Sequence, residues 1–320
     1  MIGLILRLYP PRYRQDLGEE ILAVYRLSAA DASRTGRFRE AADIAAHAVR
    51  MRLGLSSATA AGRLLASAAP YAVGAAAAGC GVHVTRWYAG VVASPSPAHL
   101  SLLSADTWTA LLLASALVVV GAITALTGRW HGGVIAVVAG LSGLAAATVV
   151  SGAAFGDPVV TPAMALLTAL IVLACPPDLR PGPRACAAAG ATAAVAWLPL
   201  VAVQAHVLPF STDYGLWPLL VLAATGLVLA LRSKSPGLKE AAAMTVACPP
   251  FLAYAYTGGW DMSLPVLAIG AAVPLAGAMA AYAYHLVRRT DRADRADRAG
   301  RADRAGRADR AGRADRAGLR

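Results

Sequence analysis

The sequence predicts an all-α polytopic bundle embedded in a lipid bilayer. Three observations lead there. Of 320 residues, 58% are apolar and 15% charged, with mean hydropathy +0.56. Soluble domains carry about 25% charged residues. Apolar runs of spanning length recur between residues 64 and 287, and the basic residues beside them alternate by side. The same composition excludes a disordered chain, a disulfide scaffold and a soluble nucleic-acid binder. No nucleic-acid partner is expected, because each Arg-rich stretch is laced with acids.

Residues 1–63 form a cytoplasmic amphipathic region. Tyr13, Leu17, Ile21, Val24 and Ser28 recur at steps of three and four, which is one face of a helix. Pro10 and Pro11 suit a helix start, and Thr35-Gly36 breaks the pattern. A second stretch follows with Ala41, Ile44, Ala45, Ala48 and Val49. Two or three short helices are expected, packed together, lying on the membrane surface or docking a cytoplasmic protein partner. No secretory signal is read in Met1–Leu6, which is short and runs into Arg7.

A helix needs about 20 apolar residues to cross a bilayer. Eight stretches meet this requirement within the 64–289 bundle, at about 64–84, 108–127, 134–154, 159–175, 185–206, 214–231, 241–257 and 264–287. The 241–257 stretch is the shortest case and carries Pro249-Pro250. The 85–107 connection contains Ser94-Pro95-Ser96-Pro97 and is not one continuous helix. With the N-terminus in the cytoplasm, the inner connections carry Arg129, Arg180, Arg184, Arg232, Lys234, Lys239, Arg288 and Arg289, and the outer ones carry only Arg86. That is the positive-inside pattern, with both termini cytoplasmic in a bacterial plasma membrane. Trp87, Tyr88, Trp108, Phe155, Phe210, Tyr214, Trp217 and Trp260 fall near the outer boundary, as an interfacial belt does.

Net charge is +11, and residues 1–63 and 290–320 each contribute +4 of it. The 290–320 tail repeats Arg-Ala-Asp-Arg-Ala-Gly, and its three-residue period keeps no stable helical face. It reads as disordered. The basic side chains are almost all Arg, and Ala and Gly abound, as in proteins of GC-rich actinobacterial genomes.

No catalytic, cofactor-binding or metal-ligating residue is assigned, and no enzyme activity or cofactor is expected. Asp106, Asp157, Asp213 and Asp261, with His83, His99 and His206, would sit outside together as metal or proton groups. Each Asp also precedes an inward-running span, where it caps the free N–H groups, and this is the favoured reading. Asp157-Pro158 fits it best. The spans hold no central Asp, Glu, Lys or Arg, which argues against a pump or ion-coupled transporter. Gln204, His206 and His285 fall near span ends and read as interfacial or interhelical hydrogen-bonding groups. Cys80, Cys175, Cys186 and Cys248 have no metal-ligand spacing and read as small apolar side chains. Gly133, Ala136, Gly140, Gly143 and Ala147 make a small-residue seam expected to pack inside the molecule, a homo-oligomer interface being the alternative. Gly270, Pro274, Gly277 and Ala281 make a similar one. Ala174-Cys175-Pro176-Pro177 recurs as Ala247-Cys248-Pro249-Pro250, at different depths on helices of opposite direction, and reads as coincidence.

Leu8-Tyr9-Pro10-Pro11-Arg12-Tyr13-Arg14, followed by Gly18-Glu19-Glu20-Ile21-Leu22 and the basic helix Ile44–Arg52, resembles a known prefix. Similar segments precede the membrane part of some ABC-exporter permeases and of many multi-span actinobacterial membrane proteins without an assigned activity. The likeness covers about the first sixty residues. Such permeases carry a large extracytoplasmic domain that this sequence lacks, so the second group is the closer match. The favoured function is a non-enzymatic anchor, scaffold or signal-transducing component, with the amphipathic N-terminal region docking a partner or the membrane surface. The alternative, which the permease resemblance implies, is a permease-like transporter subunit working with a separate ATPase.

Overall fold

The computed structural model describes residues 5–30, 33–93, 106–151, 157–204, 216–232 and 238–258, with isolated positions between 272 and 284. All regular structure among these residues is helical. The N-terminal pair is α1 (Pro11–Ala30) and α2 (Arg34–Arg52). The bundle follows as α3 (Ala60–Ala93), α4 (Asp106–Leu126), α5 (Trp130–Ser151), α6 (Val160–Leu173), α7 (Pro183–Gln204), α8 (Trp217–Arg232), α9 (Leu238–Val246) and α10 (Pro249–Gly258). Four of them, α3, α4, α5 and α7, are long and apolar enough to cross a membrane.

Local chemistry explains the boundaries. Pro11 opens α1, where its missing N–H costs nothing. Ser33 caps α2 by accepting from Gly36 N–H at 3.2 Å, so the chain breaks before Arg34. The expected break at Thr35-Gly36 is thereby corrected: both residues lie in the first turn of α2, held by that cap. Gly54 ends α2 at φ +67°, with Gly54 N–H donating to Met51 O and Leu55 N–H to Arg50 O. Gly128 ends α4 at φ +110° in the same manner. Both positions need the left-handed conformation that glycine adopts freely. Thr59 caps α3 by accepting from Gly62 N–H at 3.1 Å.

Four spans differ from expectation: α6 and α8, at 14 and 16 residues, fall short of spanning length, and two others change their bounds or continuity. Helix α3 is described to Ala93, nine residues beyond 84, and nothing in 85–93 breaks a helix. The 241–257 stretch is not one helix. It is α9 and α10, separated at Ala247-Cys248 because Pro249 and Pro250 open a new helix. The two pieces hold 9 and 10 residues, together about 29 Å of rise, enough for one crossing. The Cys-Pro-Pro sequence thus divides a traverse at Cys248, while at Cys175 it follows the end of α6. The 264–287 stretch lies outside the described residues except at isolated positions, and the 290–320 tail lies outside them altogether.

Contacts set the helix directions. Gly121 on α4 meets Ala136 and Val137 on α5, and Gly140 on α5 meets Ala114 and Val118 on α4, so these two form a tight antiparallel hairpin. The seam through Gly133, Gly140 and Gly143 is therefore intramolecular, packed on α4. Gly74 meets Ala189, and Gly81 meets Trp197, so α3 and α7 run parallel. Gly226 on α8 packs on Met244 of α9, Thr192 bonds Thr225, and Trp217 Nε1 donates to Val195 O. Gly277 lies against Ala223 of α8. Among the described residues α3 and α7 therefore run one way, and α8 runs against α7.

The core is built largely of alanine, with Ala68, Ala72, Ala76, Ala122, Ala189 and Ala196 nearly inaccessible. Leu219, Leu222, Val118 and Phe251 are buried with them, while other large aliphatics face outward: Ile135 is 70% exposed and Val150 82%. Such a surface suits lipid, where helix association rests on close packing of small residues and not on hiding large apolar ones. Pro70 and Pro199 sit inside α3 and α7, and Pro162, Pro218 and Pro249 sit in first turns.

Candidate functional site

Two regions carry the chemistry among the described residues. The first is the joint between α1 and α2. Tyr9, 3% exposed, stacks on Tyr13 with ring centroids 5.2 Å apart. Its hydroxyl bonds His47 Nδ1 at 2.9 Å and reaches Ile44 O at 3.4 Å. Burial lowers the His47 pKa, the Arg50 charge lowers it further, and Asp178 opposes both. Burial and the neighbouring Tyr13 raise that of Tyr9. Residues 53–59 join the pair to the start of α3, so it sits at the bundle end that holds the starts of α3, α7 and α9. Arg63, Arg129, Arg180, Arg184, Arg232 and Lys239 gather at that same end. Away from the joint the pair is uncovered: Leu27 on α1 is 79% exposed and Phe38 on α2 70%.

The second region lies at the opposite end. A small, partly open cavity of about 60 Å³ lies between α3, α5, α6 and α10. Cys80, His83, Thr161, Thr168, Pro250 and Tyr254 contribute to its wall. Thr168 Oγ1 is occupied by Met164 O at 2.7 Å. Thr161 Oγ1 is buried and meets no partner among the described residues. A cavity this size holds a few waters or one small group. Beside it, Asp157 ties two helices. Its Oδ1 accepts from Val159 and Val160 N–H at 2.8 Å each, and its Oδ2 accepts from the Tyr256 hydroxyl at 3.1 Å. The Val160 and Val159 bonds hold its carboxyl below the usual range, and the Tyr256 bond adds to them.

Asp157 therefore satisfies the N–H groups at the entry to α6, from two residues ahead of the N-cap position at Val159. Asp106 is the first residue of α4. Asp213, Asp261, His99 and His206 lie outside the described residues, as does His285. Among the described residues no three of His, Cys, Asp and Glu gather as a metal site would require. The four cysteines are buried free thiols. Gln204 is the last residue of α7. Of the aromatic belt, Trp87, Tyr88, Trp108 and Trp217 stand at the end that holds the cavity, and Phe155, Phe210, Tyr214 and Trp260 lie outside the described residues. Sequence reasoning missed Tyr9–His47 and Asp157–Tyr256, since 38 and 99 residues separate the partners and no local pattern joins them.

No family model matches this chain, and neither a curated protein nor a solved structure matches it.

Proposed function

We propose that the chain is a non-enzymatic protein of the bacterial plasma membrane whose bundle anchors an N-terminal docking module at the cytoplasmic face. It crosses eight times, with both termini inside, and acts as a scaffold or signal-transducing component. The observation that carries this reading is the α1–α2 pair. It is held together at Tyr9–His47, placed beside the basic end of the bundle, and leaves Val24, Leu27 and Phe38 uncovered. Uncovered apolar residues on a tethered module mark an interaction surface. The gathering of basic residues at one end supports the orientation.

The test is photo-crosslinking in the native membrane from positions 24 and 27, with mass spectrometry of the product. A discrete protein partner at either position, lost in Leu27→Asp, is the expected result. No cross-link at either position would overturn the docking role. A second reading is a permease-like subunit. The partly open cavity beside the broken α9–α10 traverse favours it, because discontinuous helices line binding sites in many transporters. A stoichiometric P-loop ATPase as the cross-linked partner would put that reading first.

A further inference from the structure

At the basic end, the first turns of α3 and α9 bound an open-sided cavity of about 360 Å³. Arg63, Ser67 and Lys239 form its polar wall, and Ala60, Leu64 and Ala242 its apolar one. Among the described residues no acidic side chain lines it. Glu240, though adjacent to Lys239, is not in the wall. Arg63 is held from behind, with Nη1 donating to Ala58 O at 2.7 Å and Ser57 O at 3.4 Å. That uses Nη1 only and fixes the guanidinium plane, so an incoming anion meets an ordered donor. Ser67 Oγ spends its proton on Arg63 O at 2.9 Å, leaving the two cations as the donors that matter.

The position of the cavity says which anion. Arg63 stands in the first turn of a helix whose Ala60–Ala89 portion is apolar enough to span, which is the depth of lipid headgroups. A free ion needs no apolar wall. A phospholipid needs both, a cationic seat for its phosphate and an aliphatic strip for its chain. Basic pockets between membrane helices on the cytoplasmic side bind anionic headgroups in this way.

We infer that this cavity binds an anionic phospholipid, its phosphate between Arg63 and Lys239 and its acyl chain along Leu64 and Ala242. The inference rests on the bundle being membrane-embedded with this end inside. The test is native mass spectrometry of the full chain, titrated in detergent with dioleoyl phosphatidylglycerol, dioleoyl phosphatidylcholine or inorganic phosphate. Retention of phosphatidylglycerol over phosphatidylcholine is expected. Lys239→Gln should weaken it about fivefold and Arg63→Gln with Lys239→Gln about thirtyfold, from the usual strength of one cation at an anionic surface. Arg63 also braces the 57–58 turn, so Lys239→Gln, whose side chain is exposed, is the variant that leaves folding untouched. Equal retention of the two lipids, or an unchanged Lys239→Gln, would overturn the site. Displacement by millimolar inorganic phosphate with the same Lys239 dependence would assign the cavity to a free anion and overturn the lipid. Release of the protein from membranes by alkaline carbonate without detergent would instead remove the bilayer premise.

Discussion

Replacing Gly133 by alanine tests the helix hairpin directly, because Gly132 beside it supplies a matched control. A Cβ on Gly133 would fall within 2.6 Å of Gly121 O and Ala125 Cα, and closer still to Ala125 N. All three are backbone atoms, so no side chain can rotate away. A Cβ on Gly132 meets nothing within 4 Å. Both substitutions gain the same helix propensity, up to about 1 kcal/mol. Overpacking costs about 1–3 kcal/mol, and a backbone clash belongs at the upper end. The difference between the two variants therefore isolates the clash, at about 2–3 kcal/mol. Unfolding in mixed micelles by titration with dodecyl sulfate, followed by tryptophan fluorescence, measures it. Gly132→Ala should match or exceed the wild type, and Gly133→Ala should unfold at clearly lower detergent fraction. Gly133→Ala as stable as Gly132→Ala would refute the close α4–α5 packing and return the seam to an intermolecular role.

Asp157→Ala removes the α6 cap and the tie to Tyr256, so its melting temperature should fall below that of Asp157→Asn, which keeps an acceptor. The Asp157 carboxyl is held below its ordinary value, so its stabilisation is complete above the unfolded carboxylate range, near pH 4, and is lost as pH falls through the lowered folded value. Thermal melts between pH 5 and 2 should accordingly show a steeper loss in the wild type than in Asp157→Asn. His47 is likewise depressed, so the neutral ring stabilises the α1–α2 joint above about pH 6.5 and the gain is lost as pH falls through the folded value. Hydrogen exchange of Ile44–Arg50 should speed up from pH 7.5 to 5, after correction for intrinsic rates, and Tyr9→Phe should start from the faster level. A cysteine placed at 235 should react with a membrane-impermeant maleimide only after the membrane is opened from inside, and labelling from outside would refute the orientation proposed above.

Element existence was legible because helix periodicity, proline, glycine and charge act locally. Pro11 starts α1 and Asp157-Pro158 precedes α6, both where the sequence places them. The small-residue seam of α5 was legible as a seam, since spacing alone puts Gly133, Gly140 and Gly143 on one face. Its partner was not legible, because α4 and a second copy of the chain offer the same chemistry. The break within 241–257 was half legible: two prolines weaken a helix, but whether it kinks or divides depends on what packs around it.

By composition and pattern the sequence determined that this chain is helical, with helices long and apolar enough to cross a membrane. Those are sums over many residues, and they hold whatever the packing. Only the tertiary structure decided which side chains meet. Tyr9 reaches His47 and Asp157 reaches Tyr256, while Arg63 and Lys239 come to face one cavity. Each of these joins groups at least 38 residues apart. Such meetings depend on how closely helices pass, which is set by single glycines and prolines, and no one-dimensional pattern records them.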